Sequence, residues 1–203
     1  MPGNRNGNGD RARQRLAQEA ARLIVEHGIR DYRIAKTKAA ERLGIGTRGA
    51  LPGNAEIESA VHSHLSLFGG DAHADHLYLL RESALAAMDV LSEFSPRLVG
   101  PVLQGTADHN SAVNLHVFSD SPETVALQLH ASGYPCRPYE RRLKTSRGKG
   151  AKPETFAGYE FRLENAAIQA TVFPVDGIRQ SPISPIDGRP MKRADRKAVK
   201  DLL

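Results

Sequence analysis

The hydrophobic pattern changes period once, at Pro96, and that change divides the chain into a helical first half and a strand-rich second half. Before it, apolar residues recur every three to four positions. Leu16, Ala20, Leu23 and Ile24 mark a helix over 11–27 that Gly28 stops. Tyr32, Ala35, Ala39 and Leu43 mark a second, with Asp31 as its cap and Gly44 as its end. Ile57, Val61, Leu65 and Phe68 give an inward face to a third helix over 54–68. Leu77, Leu80, Ala84, Met88 and Leu91 do the same for a fourth over 74–94. After Pro96 the period is that of strands: 97–104, 112–118, 136–144, 156–164 and 167–173, with a helix over 121–131 that carries Pro122 in its first turn. The five strands are expected in one sheet with the 121–131 helix on one face.

The fold class read from this order is α+β, a helical N-terminal half followed by a small mixed sheet with helices. The expected divisions are a disordered tail at 1–10, a helical region at 11–95, an α/β domain at 96–176, and a Pro-rich segment with a basic C-terminal helix at 177–203. Within the first of these the Gly/Asn-rich start reads as neither signal peptide nor anchor. No stretch approaches the roughly 20 apolar residues that span a bilayer. One cysteine, Cys136, leaves no internal disulfide and fits a reducing, cytoplasmic setting.

The net charge of +5 is unevenly placed. Residues 1–50 hold 11 Lys/Arg against 5 Asp/Glu, residues 51–135 hold 2 against 10, and residues 136–203 hold 15 against 8. Two basic blocks around an acidic one suit a polyanion partner, and equally suit pairing within the molecule. The run Arg141, Arg142, Lys144, Arg147, Lys149 and Lys152, loosened by Gly148 and Gly150, is the expected phosphate-backbone contact.

The segment LVGPVLQGTADHNSAVNLHVF, residues 98–118, resembles the entry motif of polymerase-beta-type nucleotidyltransferases. In that superfamily a strand runs into Gly-Ser, and Ser-Asp-hydrophobic-Asp-Leu follows on the next strand. The glycine and hydroxyl approach the triphosphate, and the alternating carboxylates hold Mg²⁺. The resemblance places Gly105 and Thr106 at Gly-Ser, and Ser111, Ala112, Val113, Asn114 and Leu115 at the second element. A third carboxylate on a later strand falls on Gln169. All three anionic ligands are thereby absent, so the resemblance implies a degenerate member. Such a member binds a nucleotide or RNA without catalysis and without a cofactor, through Gly105, Thr106, Ser111, Asn114, His116 and Gln169. An active transferase would need Mg²⁺ held by relocated carboxylates such as Asp108, Asp120 or Asp176; a protein-interaction module is the third class.

The whole chain also resembles a group of bacterial proteins of about 200 residues that share the ending SPISPIDGRPM (181–191), some of which carry the name UDP-N-acetylmuramate–alanine ligase. No G-x-x-x-x-G-K-[ST] phosphate loop is present to support that name. Residues 15–51 are similar to a helix-turn-helix start, but Gly46, Gly49 and Pro52 fall where its reading helix would lie, and Glu56 and Glu58 would oppose a phosphate backbone. Seven of the eight histidines lie within 62–130. His73 and His76, with Asp71 and Asp75, could face a metal from one helix side, whereas surface histidines at helix ends are far commoner. His109 and His116 flank the expected cleft. Cys136 has no sequence neighbour that would activate it.

Overall fold

A computed structural model of the chain describes residues 5–46, 51–146, 148, 150 and 152–203. They form two compact units, residues 1–73 with 185–187, and residues 74–184 with 188–203. No helix of the described residues is long and apolar enough to cross a membrane.

The first unit is built on three helices: α1 (Arg5–His27), α2 (Tyr32–Leu43) and α3 (Asn54–Phe68). Its core is aliphatic and small: Leu16, Ala17, Ala20, Ala21 and Leu23 from α1, Ala35, Ala39 and Ala40 from α2, and Ile57, Val61 and Leu65 from α3. Alanines let the helix axes approach, and each costs little side-chain entropy on burial. Helix α2 begins and ends where its sequence signals. The Asp31 carboxylate accepts from the N–H groups of Arg33 (2.7 Å) and Ile34 (3.2 Å), and Gly44 closes it in a left-handed conformation.

Two expectations for this half need correction. Helix α1 starts at Arg5, so residues 5–10 are helical rather than a disordered tail. Phe68 is 75% exposed instead of inward, because as the last residue of α3 it turns back onto the His64 ring of its own helix, 4.9 Å away. Among the described residues between Gly44 and Gly53 no helix begins, as the loop expected there requires. The two acidic residues of α3 are engaged within the unit, Glu56 with Arg13 and Glu58 with the Tyr32 hydroxyl.

Helix α4 (Gly70–Val90) starts four residues earlier than the apolar period suggested and ends before a short 3₁₀ turn at Ser92–Phe94. Its Leu80, Ala84, Ala87 and Met88 lie in the core of the sheet. The change of period at Pro96 is therefore a change of local structure within one packing unit.

The sheet contains β1 (Arg97–Val99), β2 (Val113–Phe118), β3 (Cys136–Leu143), β4 (Glu154–Leu163) and β5 (Ala166–Phe173) in the order β1-β2-β5-β4-β3. β2 and β5 are parallel and the other neighbours antiparallel, so the sheet is mixed, as expected. The strand expected over 97–104 is cut to three residues. Gly100 turns the chain at φ +75°, and Pro101, which has no N–H for a ladder, opens the short helix α5 (Pro101–Gln104). Helix α6 (Pro122–Ala131) covers one sheet face with Val125 and Leu129. The basic helix expected over 193–203 is limited to α7 (Arg196–Lys200), capped by Asp195. The chain before α7 runs beside β1 instead, where Leu98 and Ala194 exchange hydrogen bonds of 2.8 and 2.9 Å.

Strand parity sorts the sheet into two faces. Val113, Leu115, Val117, Ile168, Ala170, Val172, Phe161 and Leu163 join α4 and α6 in the apolar core. The opposite face is polar, and its register forms two rows across the sheet. One runs Val99, Asn114, Gln169, Glu160, Arg137, and the next Arg97, His116, Thr171, Gly158, Tyr139. Gly158 has a steric duty there. The Tyr139 ring lies across it, and a Cβ on Gly158 would stand 2.4 Å from Tyr139 Cζ. The ring is held in place by a 2.8 Å hydrogen bond between its hydroxyl and Thr171 Oγ1.

Gly158→Ala is expected to destabilise the protein by about 1–3 kcal/mol through this overlap. Urea denaturation measures it, and adding Tyr139→Ala should recover part of the loss by removing the ring.

Candidate functional site

The polar face gathers three arginines from three distant parts of the chain. Arg141 comes from β3, Arg97 from β1, and Arg193 from the segment beside β1. Arg141 is the best defined. Its Nη1 donates to Asn114 Oδ1 at 3.0 Å and its Nη2 to Gln169 Oε1 at 2.6 Å. Asn114 and Gln169 are direct partners across the parallel β2–β5 pair, so one planar guanidinium spans both amides. The amide N–H groups are also used: Asn114 Nδ2 donates to the Ala112 carbonyl (3.0 Å), and Gln169 Nε2 to Glu160 Oε2 (2.7 Å).

Arg193 makes the second cluster. Its Nε donates to His116 Nδ1 at 3.0 Å, and its Nη1 to the carbonyls of Gly177 (2.8 Å) and Ile178 (3.3 Å). Its guanidinium carbon sits 5.0 Å from the Phe118 ring centre and 5.1 Å from that of Phe173, a pair of cation–π contacts. His116 is 1% exposed and packs its own ring 4.5 Å from Phe173. Burial, followed by the charges of Arg193 and Arg141, pushes its pKa down to about 3. Burial, followed by the charge of Arg97, pulls Arg193 down to about 10. His116 is thus neutral near pH 7. Because Nδ1 accepts from Arg193, the ring proton resides on Nε2. That Nε2 and Arg193 Nη2 are the buried side-chain polar atoms left without a hydrogen-bond partner among the described residues. A buried polar group left unpaired costs about 1–3 kcal/mol.

The residues expected to bind a nucleotide do not form one cluster. Asn114, His116 and Gln169 share the polar face. Gly105, Thr106 and Ser111 lie in the connection between α5 and β2. Gly105 ends α5 and faces Leu77 and Arg81, and the glycine that ends β1 beside Asn114 is Gly100, where a Cβ would lie 3.6 Å from Asn114 Nδ2. The Ser111 hydroxyl is engaged with Asp108, donating to Oδ1 (2.8 Å) and accepting from the Asp108 N–H (2.9 Å). Strand geometry also splits the basic run. Arg141 turns onto the polar face, whereas Arg142, Lys144 and Lys152 are exposed around the β3–β4 hairpin. Arg147 and Lys149 lie outside the described residues. Of the terminal basic residues, Arg196 pairs with Asp89 of α4 (2.5 and 2.9 Å).

Mg²⁺ does not fit the positions that the nucleotidyltransferase resemblance assigns to it. Ala112 has no ligand atom and is 7% exposed, and the side-chain oxygens of Asn114 and Gln169 already face a cation. The relocated carboxylates are occupied in part by backbone: Asp108 Oδ1 accepts from Asn110 N–H, and Asp120 Oδ1 from Val175 N–H. Among the described residues no group of three or more His, Cys, Asp or Glu is placed to hold a metal ion. A groove of about 1130 Å³ lies in the first unit, where Arg13 and Arg22 are already paired with Glu56, Glu19 and Glu26. Its size exceeds its chemistry, and the cationic sheet face is the better candidate. No family model, curated protein or solved structure matches the chain.

Sequence reasoning missed Tyr139 and Arg97, and it placed Arg193 only among the basic residues of the C-terminal helix, as a polyanion contact. Alternation along β3 could have assigned Arg141 and Tyr139 to one face and Arg142 to the other. No local signal marks Arg193, because its partners are contributed by β2, β5 and the 3₁₀ turn at Val175–Arg179.

The buried neutral histidine makes stability depend on pH with a definite sign. An unfolded histidine titrates near 6.5 and folded His116 near 3, so unfolding takes up a proton in that window. Stability then falls as pH falls below about 6.5, by up to about 1.4 kcal/mol per pH unit, until about pH 3. Urea denaturation from about pH 7 to about pH 4.5 should show wild type losing stability faster than His116→Gln, which lacks that proton. Parallel losses would contradict the assignment.

Proposed function

We propose that the protein is a degenerate nucleotidyltransferase-like protein that binds a nucleotide or RNA on the polar sheet face without transferring a nucleotidyl group. The carrying observation is the Arg141 guanidinium standing between Asn114 and Gln169. These are two of the three positions where the resemblance implies metal-binding carboxylates, and the sheet makes them register partners. Amides at these positions supply no anionic oxygen to a divalent ion, and the arginine supplies positive charge directly.

The same face can hold a phosphate group but lacks the means to drive its chemistry. Phosphoryl and nucleotidyl transfer depend on positioned cations and a group that orients the nucleophile. Arg141, Arg97 and Arg193 supply fixed charge, and Glu160, the carboxylate in the Arg141 network, is engaged by Gln169. The exposed Arg142, Lys144 and Lys152 around the β3–β4 hairpin add cationic contacts at the edge of the sheet for a longer polyanion. The resemblance and the element order support a nucleotide class of ligand, and the charge supports phosphate as the recognised group.

Filter binding with single-stranded RNA, and equilibrium dialysis with ATP and GTP, test the reading. Arg141→Ala should weaken binding on the order of tenfold, the scale of one lost charged hydrogen-bonding group. Replacing Arg142, Lys144 and Lys152 together with Ala should reduce the slope of log RNA affinity against log salt by about 2, at about 0.7 per phosphate contact. Labelled nucleoside triphosphates offered with RNA and Mg²⁺ or Mn²⁺ should show no incorporation. Absence of both nucleotide and RNA binding at low salt, or robust incorporation, would overturn the proposal.

A further inference from the structure

The register row Asn114, Gln169, Glu160 brings one carboxylate onto a face otherwise rich in arginine. A carboxylate repels phosphate, so a surface that gripped phosphate alone would be weakened by it. Its orientation is nevertheless fixed. Gln169 Oε1 accepts from Arg141 Nη2 at 2.6 Å, and the same amide donates from Nε2 to Glu160 Oε2 at 2.7 Å. Glu160 Oε1 has no hydrogen-bond partner among the described residues. Arg141 also keeps donors available: a guanidinium has five N–H groups, and Asn114 and Gln169 use one each from Nη1 and Nη2. Asn114, Arg141, Glu160 and Gln169 are all half-buried, so the row is reached from solvent.

Arg141 and Glu160 stand one amide group apart, with the Gln169 side chain between them. Both act on the same neighbour. Burial raises the pKa of the Tyr139 phenol, and behind the Thr171 hydrogen bond the charges of Arg141 and Glu160 pull on it in opposite directions. A ligand that satisfies both must present acceptors to the guanidinium and donors to the carboxylate, side by side on one rigid edge. Phosphate carries acceptors only. Guanine carries O6 and N7, the acceptor pair that suits an arginine fork. N1–H and the N2 amino group follow along the same rim, two donors for a carboxylate. Adenine has no such adjacent acceptor pair, and cytosine gives the carboxylate a single amino group.

We propose that Arg141 and Glu160 read the rim of a guanine base, Arg141 donating to O6 and N7 and the Glu160 carboxylate accepting from N1–H and the N2 amino group. The proposal rests on the nucleotide-or-RNA reading of this face and deepens it by naming the base. The carboxylate then has a purpose beside the arginines: it rejects bases that lack the paired donors.

The probes are GTP, ATP, CTP and ITP, titrated by calorimetry into the full chain in excess EDTA. GTP should bind on the order of tenfold tighter than ATP or CTP, the scale of one hydrogen bond to a charged group. ITP keeps O6, N7 and N1–H but lacks the N2 amino group, and it should lose affinity on the same order. In Glu160→Gln the affinities for GTP and ATP should come within about twofold of each other, because an amide cannot offer two acceptors. The comparison of GTP with ITP uses wild type alone and needs no variant to fold. If the triphosphates bind without preference for GTP, if ITP binds as GTP does, or if the preference survives in Glu160→Gln, the base assignment is wrong while the nucleotide reading stands. If wild type binds none of the four, nor RNA, the reading beneath it fails as well.

Discussion

Arg141 donates across the sheet to Asn114 and Gln169, and the arrangement of the strands is what permits that reach. From β3 to β5 is two strand spacings, about 10 Å, a distance that only a long side chain on a twisted sheet can cover. The intervening strand must keep a low profile there, and β4 does so with Gly158, over which the Tyr139 ring lies. The ring is 5.5 Å from the Arg141 guanidinium and is tied to Thr171 by its hydroxyl. The parallel pairing of β2 and β5 then sets the two amides side by side at the right spacing for one planar fork. Slip β2 past β5 by one residue, and Asn114 and Gln169 point to opposite faces of the sheet, where one fork can no longer join them.

The other half of the face depends on a different device. Arg193 is more than a surface charge: its Nη1 hydrogen-bonds two carbonyls, its Nε a neutral imidazole, and its face lies near two phenyl rings. A cation held this way is withdrawn from water, as the lowered pKa reflects. Such a charge is retained at a cost, which a matching anion would offset. The two clusters together make a preorganised cationic face from residues spread between Arg97 and Arg193.

Much of the architecture was legible because it is local. Asp31 and Gly44 bound α2 as their chemistry requires, and the alternation of Val113, Leu115 and Val117 gave the inner face of β2. The helix over 121–131 and the five strands likewise follow from period and turn residues. The losses are equally physical. Pro101 ended β1 early, an effect of the missing N–H that the apolar run LVGPVL conceals. Phe68 fits the helical period, yet at a helix terminus its ring had a neighbour on its own helix. At the site, the amides of Asn114 and Gln169 were reached through the family resemblance, whereas their joint contact with Arg141 depends on three strand pairings that no window of sequence contains. Arg193 was grouped with a terminal basic helix because charge alone is visible in sequence, and its burial is a product of the fold.

The proposed reading is that arginine charge on this face stands where the nucleotidyltransferases that residues 98–118 resemble hold metal ions, and metal dependence tests it most directly. Calorimetric titration of ATP into the full chain should give the same affinity in excess EDTA as in Mg²⁺, within about twofold, since Asn114 and Gln169 turn their oxygens to the Arg141 cation and Glu160 already accepts from Gln169. Binding that appears only when Mg²⁺ is present would contradict the account and return a metal to the face.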